Sequence, residues 1–194
     1  MLLTQIIQRC APQVAPTTMV AIVRVESGTN PLAMWNNTTH SRVLPANLQQ
    51  AQVYLRAAMA AGDRVDVGLS QVDTENFAAF GLSPDTVFNA CTNLRAGAQI
   101  LAADYRQAVS AYGPGPQALF HAFEAYNSGR LWGDRSYANR ILSAAGLPVE
   151  VQSDGGLAYR RRGHTPLVFV ESWGARQVTQ PKPVKTGLVY VLNW

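Results

Sequence analysis

Apolar residues recur at helical spacing through the first 150 residues, and this pattern constrains the fold more than any other feature of the chain. Gly, Pro and Asn residues divide the pattern into blocks, as they do where turns join helices. The blocks predict helices over residues 2–9, 16–28, 46–62, 92–113, 116–129 and 136–146, with a short helical run before Gly81. Brief alternation near residues 34–44 and 64–69 predicts at most a small β-hairpin. The predicted fold class is therefore mainly α, with the small β element of an α+β protein.

The length and composition indicate a globular protein. A chain of 194 residues with 47% hydrophobic and 14% charged residues can bury a sizeable core. We expect one domain over residues 1–148 and an extended tail over residues 149–194. No window approaches the run of about 20 apolar residues that spans a bilayer, so no transmembrane segment is predicted. The start of the chain lacks a basic region, and Gln5 and Gln8 interrupt its apolar positions, so it does not resemble an export signal.

The tail carries the whole net charge of +4. Residues 1–150 hold ten Arg against ten acidic residues, whereas residues 151–194 hold six Lys or Arg against two. A solvated tail explains this excess, and so does binding to the anionic cell wall, to a membrane surface or to nucleic acid. The segments 166–173 and 187–194 are rich in β-branched and aromatic residues, which predicts two strands that pair with each other or dock on a partner.

Two cysteines, Cys10 and Cys91, are too few and too far apart for a local metal motif. A bridge between them would close a loop of about 80 residues, which favours an oxidising compartment. The alternative is two buried free thiols in a cytosolic protein.

Glu26 is the most unusual charged residue in the chain. It follows the run 19–25, in which only Arg24 is polar, so its helix is expected to be buried around most of its circumference. Burial and the negative end of the helix dipole near Gly28 both raise the pKa of a carboxyl group. A glutamate with a raised pKa can protonate the leaving oxygen of a glycosidic bond. The alternative is a helix-terminal glutamate that is solvated or paired.

Other chemistries have weaker signals. The three histidines, His40, His121 and His164, lack metal-ligand spacing, and Gly113 to Pro116 contains two prolines that cannot donate N–H groups to a phosphate. We therefore predict neither a metal nor a cofactor.

Three short motifs carry a resemblance to a known family. They are Glu26-Ser27-Gly28 followed by Asn30-Pro31, then Gly68-Leu69-Ser70-Gln71, then Ala125-Tyr126-Asn127-Ser128-Gly129. In this order they resemble the signatures of lysozyme-like soluble lytic transglycosylases, over roughly residues 3–147. The cysteine positions and the segment that follows Cys10 are similar to the subgroup that accompanies type IV secretion systems. The resemblance implies a lysozyme-like fold, a disulfide between Cys10 and Cys91, and a periplasmic location.

The resemblance also implies roles for individual residues. Glu26 would be the proton donor and then the base, with Ser27 supporting its carboxyl group or the acetamido group of a bound sugar. Gln71 would line the cleft, Tyr126 would hydrogen-bond near the glutamate or the substrate, and Asn127 would shape a turn and contact substrate. Two aromatic residues besides Tyr126, Trp35 and Trp132, are candidates for stacking on sugar rings.

The sequence departs from the family pattern at two positions. Ser70 stands where Met is usual, and Asp73 stands where Asn is common in the subgroup. The expected consequence of Ser70 is an altered substrate contact.

Most glycosidases need a second carboxylate, and none is obvious in this chain. Glu124 lies two positions before Tyr126, on the other side of the predicted helix, and spacing does not single out Asp66 or Asp73. The family resemblance implies a mechanism with one carboxylate. In it, Glu26 cleaves the bond between N-acetylmuramic acid and N-acetylglucosamine, and a 1,6-anhydro ring closes without water.

Two other functions remain open from the sequence. A hydrolytic lysozyme on the same fold would leave reducing ends. A wall-binding scaffold would act through residues 151–194, where Arg160-Arg161-Arg162 precedes the two predicted strands. The expected partners are peptidoglycan strands and type IV secretion components that bind the tail, and nucleic acid is not expected.

Overall fold

A computed structural model of the chain describes residues 2–147, 149–151 and 157–159. Helices dominate these residues, so the predicted mainly α class is confirmed. The seven α-helices are α1 (Leu3–Cys10), α2 (Pro16–Glu26), α3 (Leu48–Ala60), α4 (Phe77–Phe80), α5 (Ala90–Tyr112), α6 (Pro116–Ser128) and α7 (Arg135–Ala144). Each one matches a block that the apolar spacing predicts. In the described part of the chain, no helix has the length and apolarity needed to cross a bilayer.

A four-stranded antiparallel sheet takes the place of the small hairpin that the sequence predicts. Its strands are β1 (Met34–Asn36), β2 (Ser41–Val43), β3 (Val65–Val67) and β4 (Val72–Asp73), in the spatial order β2-β1-β3-β4. Strands of two or three residues show too little alternation to be recognised in a sequence. A separate hairpin of β5 (Val149–Val151) and β6 (Leu157–Tyr159) was not predicted. The predicted strands at 166–173 and 187–194 lie outside the described residues.

The chain forms two compact units, one up to Ile100 and one from Leu101 onwards. In the first unit, α1 packs against α2, and a core of buried side chains from the sheet, α3, α4 and the start of α5 lies beneath the strands. Alternate residues of β1 show how the sheet is oriented. Met34 and Asn36 are buried, whereas Trp35 between them is exposed. One face of the sheet is therefore covered by core residues and the other carries side chains that reach solvent.

The predicted disulfide between Cys10 and Cys91 is confirmed. It joins the last residue of α1 to the first turn of α5, with a Cα–Cα distance of 5.0 Å and a sequence separation of 81 residues. Both cysteines are in the bridge, so the alternative of two free thiols is excluded for this structure. The bridge connects the N-terminal helix to the end of the first unit.

The second unit contains the rest of α5, the packed pair α6 and α7, and the hairpin of β5 and β6. Asn139 of α7 is buried, and its side chain makes two hydrogen bonds with the main chain of Val151. The amide nitrogen of Asn139 donates to the Val151 carbonyl at 2.9 Å, and the amide oxygen accepts from the Val151 N–H at 2.8 Å. This pair of bonds attaches β5 to the helix.

Loss of the disulfide should destabilise the protein strongly. In the chain-entropy description, a bridge that closes a loop of 81 residues contributes about 4 to 5 kcal/mol to the free energy of unfolding. We expect the double variant Cys10→Ser and Cys91→Ser to unfold at a much lower urea concentration than the oxidised protein. Equal urea midpoints for the two proteins would show that the bridge does not constrain the unfolded chain.

Asp104 of α5 should make stability depend on pH. Within the described residues its Oδ2 atom is buried without a hydrogen-bond partner, and burial raises the pKa of this carboxyl group from 3.8 to about 7. The unfolded chain releases the Asp104 proton at lower pH than the folded chain, so the contribution of Asp104 to stability should fall as pH rises from about 4 to 7.

Asp104→Asn should remove this dependence. We expect the free energy of unfolding of the variant, measured by urea unfolding, to increase relative to that of the wild type as pH rises through that interval. A difference that stays constant with pH would show that the pKa of Asp104 is not raised in the folded protein.

Candidate active site

Glu26 is the last residue of α2 and is half-buried. The helix ends here because Gly28 adopts a left-handed conformation, with φ of +59°, two positions later. Thr29 also has a positive φ of +72°, which is uncommon for a β-branched residue. The chain therefore turns away sharply behind Glu26, and the carboxylate lies at the negative end of the helix dipole.

Ser27 attaches the end of α2 to a distant turn. Its hydroxyl oxygen lies 3.0 Å from the carbonyl oxygen of Val23, one turn back in the helix, and 2.9 Å from the carbonyl oxygen of Leu69. A hydroxyl group has one proton to donate, so the two carbonyls share it. Ser27 is only 3% exposed, so this geometry favours a role in placing Glu26 over direct contact with a sugar.

The turn of residues 68–71 places Gln71 in an uncommon conformation, with φ of +46°. The Gln71 side-chain nitrogen donates to the carbonyl of Gly68 at 2.7 Å and to the carbonyl of Ala33 at 3.0 Å. The N–H of Gly68 also donates to Ala33, at 2.8 Å. Positive φ at residues other than glycine is concentrated at functional sites, where surrounding contacts hold the strained backbone.

Asn93, from the first turn of α5, supports this turn from below. Its amide nitrogen donates to the Val67 carbonyl at 2.8 Å, and its amide oxygen accepts from the Ser70 N–H at 2.7 Å. A Cβ atom on Gly68 would lie 2.5 Å from the Asn93 amide nitrogen, so only glycine fits. Ser70 itself is fully buried, and an altered substrate contact at this position stays a prediction.

A cleft of about 440 Å³ opens beside this arrangement, within the first unit. Among the residues that line it are Glu26, Ser27, Trp35, Arg42 and Gln71. The first and second motifs of the sequence therefore meet in one cleft, although Glu26 and Gln71 are 45 positions apart in the sequence. Its volume lies within the range of sites that bind small molecules.

Asp66 is one of the two carboxylates that flank the glutamine motif, and it is not among the residues that line this cleft. It lies on β3, and its Oδ2 atom accepts a hydrogen bond from the side chain of Asn37 at 2.9 Å. The pKa of Asp66 is raised to about 6, chiefly by burial and also by the negative charge of Asp73, while the hydrogen bond from Asn37 and the positive charge of Arg64 oppose the rise. The structure therefore gives Asp66 an unusual pKa but no place in the cleft.

Glu124 lies in the second unit, where its carboxylate is buried and hydrogen-bonded within the protein. It is 3% exposed, one carboxylate oxygen lies 2.7 Å from Nδ1 of His121, and the other accepts from the N–H of Asp134 at 3.1 Å. The bond to Asp134 connects α6 to the start of α7, and the contact with His121 lies within α6.

The third motif also belongs to the second unit. Tyr126 is half-buried on α6, and Asn127 is exposed, with its amide nitrogen donating to Asp134 at the start of α7. This bond joins the end of α6 to the residue before α7. Trp132 is 65% exposed in the loop between the two helices. Substrate contacts of Tyr126, Asn127 and Trp132 stay predictions.

The motifs and the cleft agree with a comparison against known families, in which the Transglycosylase SLT domain matches residues 5–140. The chain belongs to this family. Curated relatives include protein virB1 of Agrobacterium fabrum strain C58, which is 38% identical over 122 residues, covering 63% of this chain and 49% of the relative. The type IV secretion system protein virB1 of Brucella abortus biovar 1 strain 9-941 is 34% identical over 154 residues, covering 74% of this chain and 63% of the relative. The chain thus spans about half to two thirds of these relatives, and no solved structure matches it.

Two residues of this SLT-domain site were not predicted as site residues. They are Asn93 and Arg42. A buried asparagine in an apolar helix face is a signal for a polar anchor, and the first turn of α5 offers it. Arg42 carries no signal by itself, because its importance depends on the strand register that places it beside Trp35.

Gly68→Ala should destabilise the protein through two effects, backbone strain at its φ of +80° and the contact with Asn93. Strain of this kind costs about 1 to 3 kcal/mol. Gly62→Ala is a matched control, because Gly62 has the same φ of +80° and open space around it. We expect a clearly larger loss of urea stability for Gly68→Ala. Equal losses would mean that Asn93 yields and does not define the turn.

Proposed function

We propose that this chain is a peptidoglycan lytic transglycosylase that acts in the periplasm. The observation that carries the proposal is the meeting of Glu26 and Gln71 in one cleft, in a chain of the SLT-domain family. The hydrogen bond from Ser27 to the Leu69 carbonyl supports it, because this bond fixes the position of the glutamate relative to the glutamine turn.

In the first step, Glu26 acts as a general acid. Its carboxyl proton passes to the glycosidic oxygen between N-acetylmuramic acid and N-acetylglucosamine, and the bond from that oxygen to the muramyl C1 atom breaks. The acetamido oxygen of the same muramyl residue bonds to C1 and stabilises the developing positive charge. The N-acetylglucosamine end leaves with the proton that Glu26 supplied.

In the second step, the Glu26 carboxylate acts as a base. It takes the proton of the muramyl 6-hydroxyl group, whose oxygen then attacks C1 and displaces the acetamido oxygen. A 1,6-anhydro ring closes, Glu26 is protonated again, and no water is consumed. The cycle needs only one carboxylate. This agrees with the structure, in which Asp66 is not among the residues that line the cleft and Glu124 is hydrogen-bonded to His121 and Asp134.

The relatives suggest the setting of this reaction. Those compared above are named virB1, and the Brucella protein is named as a type IV secretion system protein. We propose that cleavage opens the wall locally for such an apparatus. The basic segment 151–194 would bind components of that system.

Glu26→Gln tests the proposed chemistry. The amide keeps the size of the side chain but cannot donate or take up the proton, so cleavage of purified peptidoglycan should fall by about 100-fold or more. Glu75→Gln is the matched control, because Glu75 is an exposed glutamate of the same unit that pairs with Arg64 outside the cleft lining. Its activity should equal that of the wild type.

Mass spectrometry of the released fragments separates the alternatives. Anhydro ends from the wild type and their loss in Glu26→Gln are the expected result. Reducing ends would instead identify a hydrolytic lysozyme. Undiminished release of anhydro fragments by Glu26→Gln would exclude Glu26 as the catalyst.

A further inference from the structure

Arg42 lines the same cleft as Glu26 and is exposed on β2. Strand register places it directly opposite Trp35 of β1, so the two side chains project from the same face of the sheet. Trp35 is 39% exposed and also lines the cleft. The cleft therefore has a positive charge beside an aromatic ring on one wall.

The described part of the chain leaves the guanidinium group of Arg42 without a partner. Among the described residues, no hydrogen bond, ion pair or cation–π contact involves this side chain. Arg24, the other arginine of the cleft lining, does have an interaction within the structure. Arg42 is thus the cleft arginine that is available to a ligand.

The acidic residue nearest along the sheet does not neutralise Arg42. Asp66 lies opposite Trp35 on β3, so the β1 strand separates it from Arg42 on β2 by about 10 Å. Arg64 is the arginine whose charge acts on Asp66. It also pairs with Asp73 at 2.7 Å and with Glu75 at 3.0 Å. Arg64 therefore provides the positive charge that interacts with the acidic groups near this sheet. The charge of Arg42 lies in the lining of the cleft.

An arginine prefers a carboxylate, which its planar group can bind through two parallel hydrogen bonds. In peptidoglycan, the lactyl group of a substituted muramyl residue is in amide linkage, and the free carboxylates belong to the attached stem peptide. We propose that Arg42 and Trp35 form a subsite for the stem peptide, in which Arg42 binds a peptide carboxylate and Trp35 packs against the adjoining chain. The inference rests on the proposed function and adds a specificity-determining residue to it.

The test compares two soluble glycan fragments of the same length. Both carry stem peptides in amide linkage, and they differ only in whether the peptide carboxylates are free or converted to carboxamides. Binding is measured by titration calorimetry, and cleavage of the same fragments is measured in parallel. We expect the wild type to bind the free-carboxylate fragment about 5- to 10-fold more tightly, as for one exposed charge-assisted contact.

Arg42→Gln should reduce this preference to nearly one, and Arg42→Lys should retain part of it because the charge remains. Arg56→Gln is the matched control, since Arg56 is an exposed arginine on α3 that pairs with Asp85 outside the cleft lining. It should keep the wild-type preference. A third fragment without stem peptides carries a free lactyl carboxylate and tests that other source of charge.

The outcomes separate the two proposals. A wild-type preference that survives in Arg42→Gln, or no preference in the wild type, overturns the subsite. If Arg42→Gln weakens binding only of the fragment with the free lactyl carboxylate, the assignment to the stem peptide is overturned. Absence of cleavage for every fragment contradicts the proposed function, while the binding ratios still decide the role of Arg42.

Discussion

The candidate site depends on the hydrogen bonds that hold the turn of residues 68–71 against the end of α2. Ser27 reaches the Leu69 carbonyl from the helix side, and Asn93 binds Val67 and Ser70 from the core side. These contacts are buried, where hydrogen bonds face little competition from water and an unmade bond is costly. Glu26 and Gln71 thereby share one cleft because the backbone next to each is fixed.

Further contacts hold strained backbone in place at the site. Thr29 follows the helix end and Gln71 ends the turn, and both have a positive φ. Gln71 compensates for its conformation with side-chain bonds to Gly68 and Ala33. The disulfide from Cys10 to Cys91 adds a covalent constraint close to Asn93, two positions after Cys91. The first unit therefore supports the cleft through both hydrogen bonds and a covalent bond.

The sequence predicts the helices well because each amphipathic block has many positions at which the periodicity is repeated. It predicts Glu26 and Gln71 as site residues through the order of the family motifs. The bonds of Asn93 join residues 23 and 26 positions apart, so no local pattern reveals them. The pairing of Trp35 with Arg42 depends on the register of three-residue strands, which carry almost no periodic signal. The burial of Ser70 follows from tertiary packing, which no local pattern in the sequence reveals.

The central claim is that Glu26 performs the chemistry in a cleft it shares with Gln71. A crystal structure of Glu26→Gln with a bound peptidoglycan fragment tests it most directly. The account predicts a glycosidic oxygen within hydrogen-bond distance, about 2.6 to 3.2 Å, of the residue 26 side chain, with Gln71 beside the same sugar. A fragment bound away from this cleft, with the residue 26 side chain remote from any glycosidic oxygen, would contradict it.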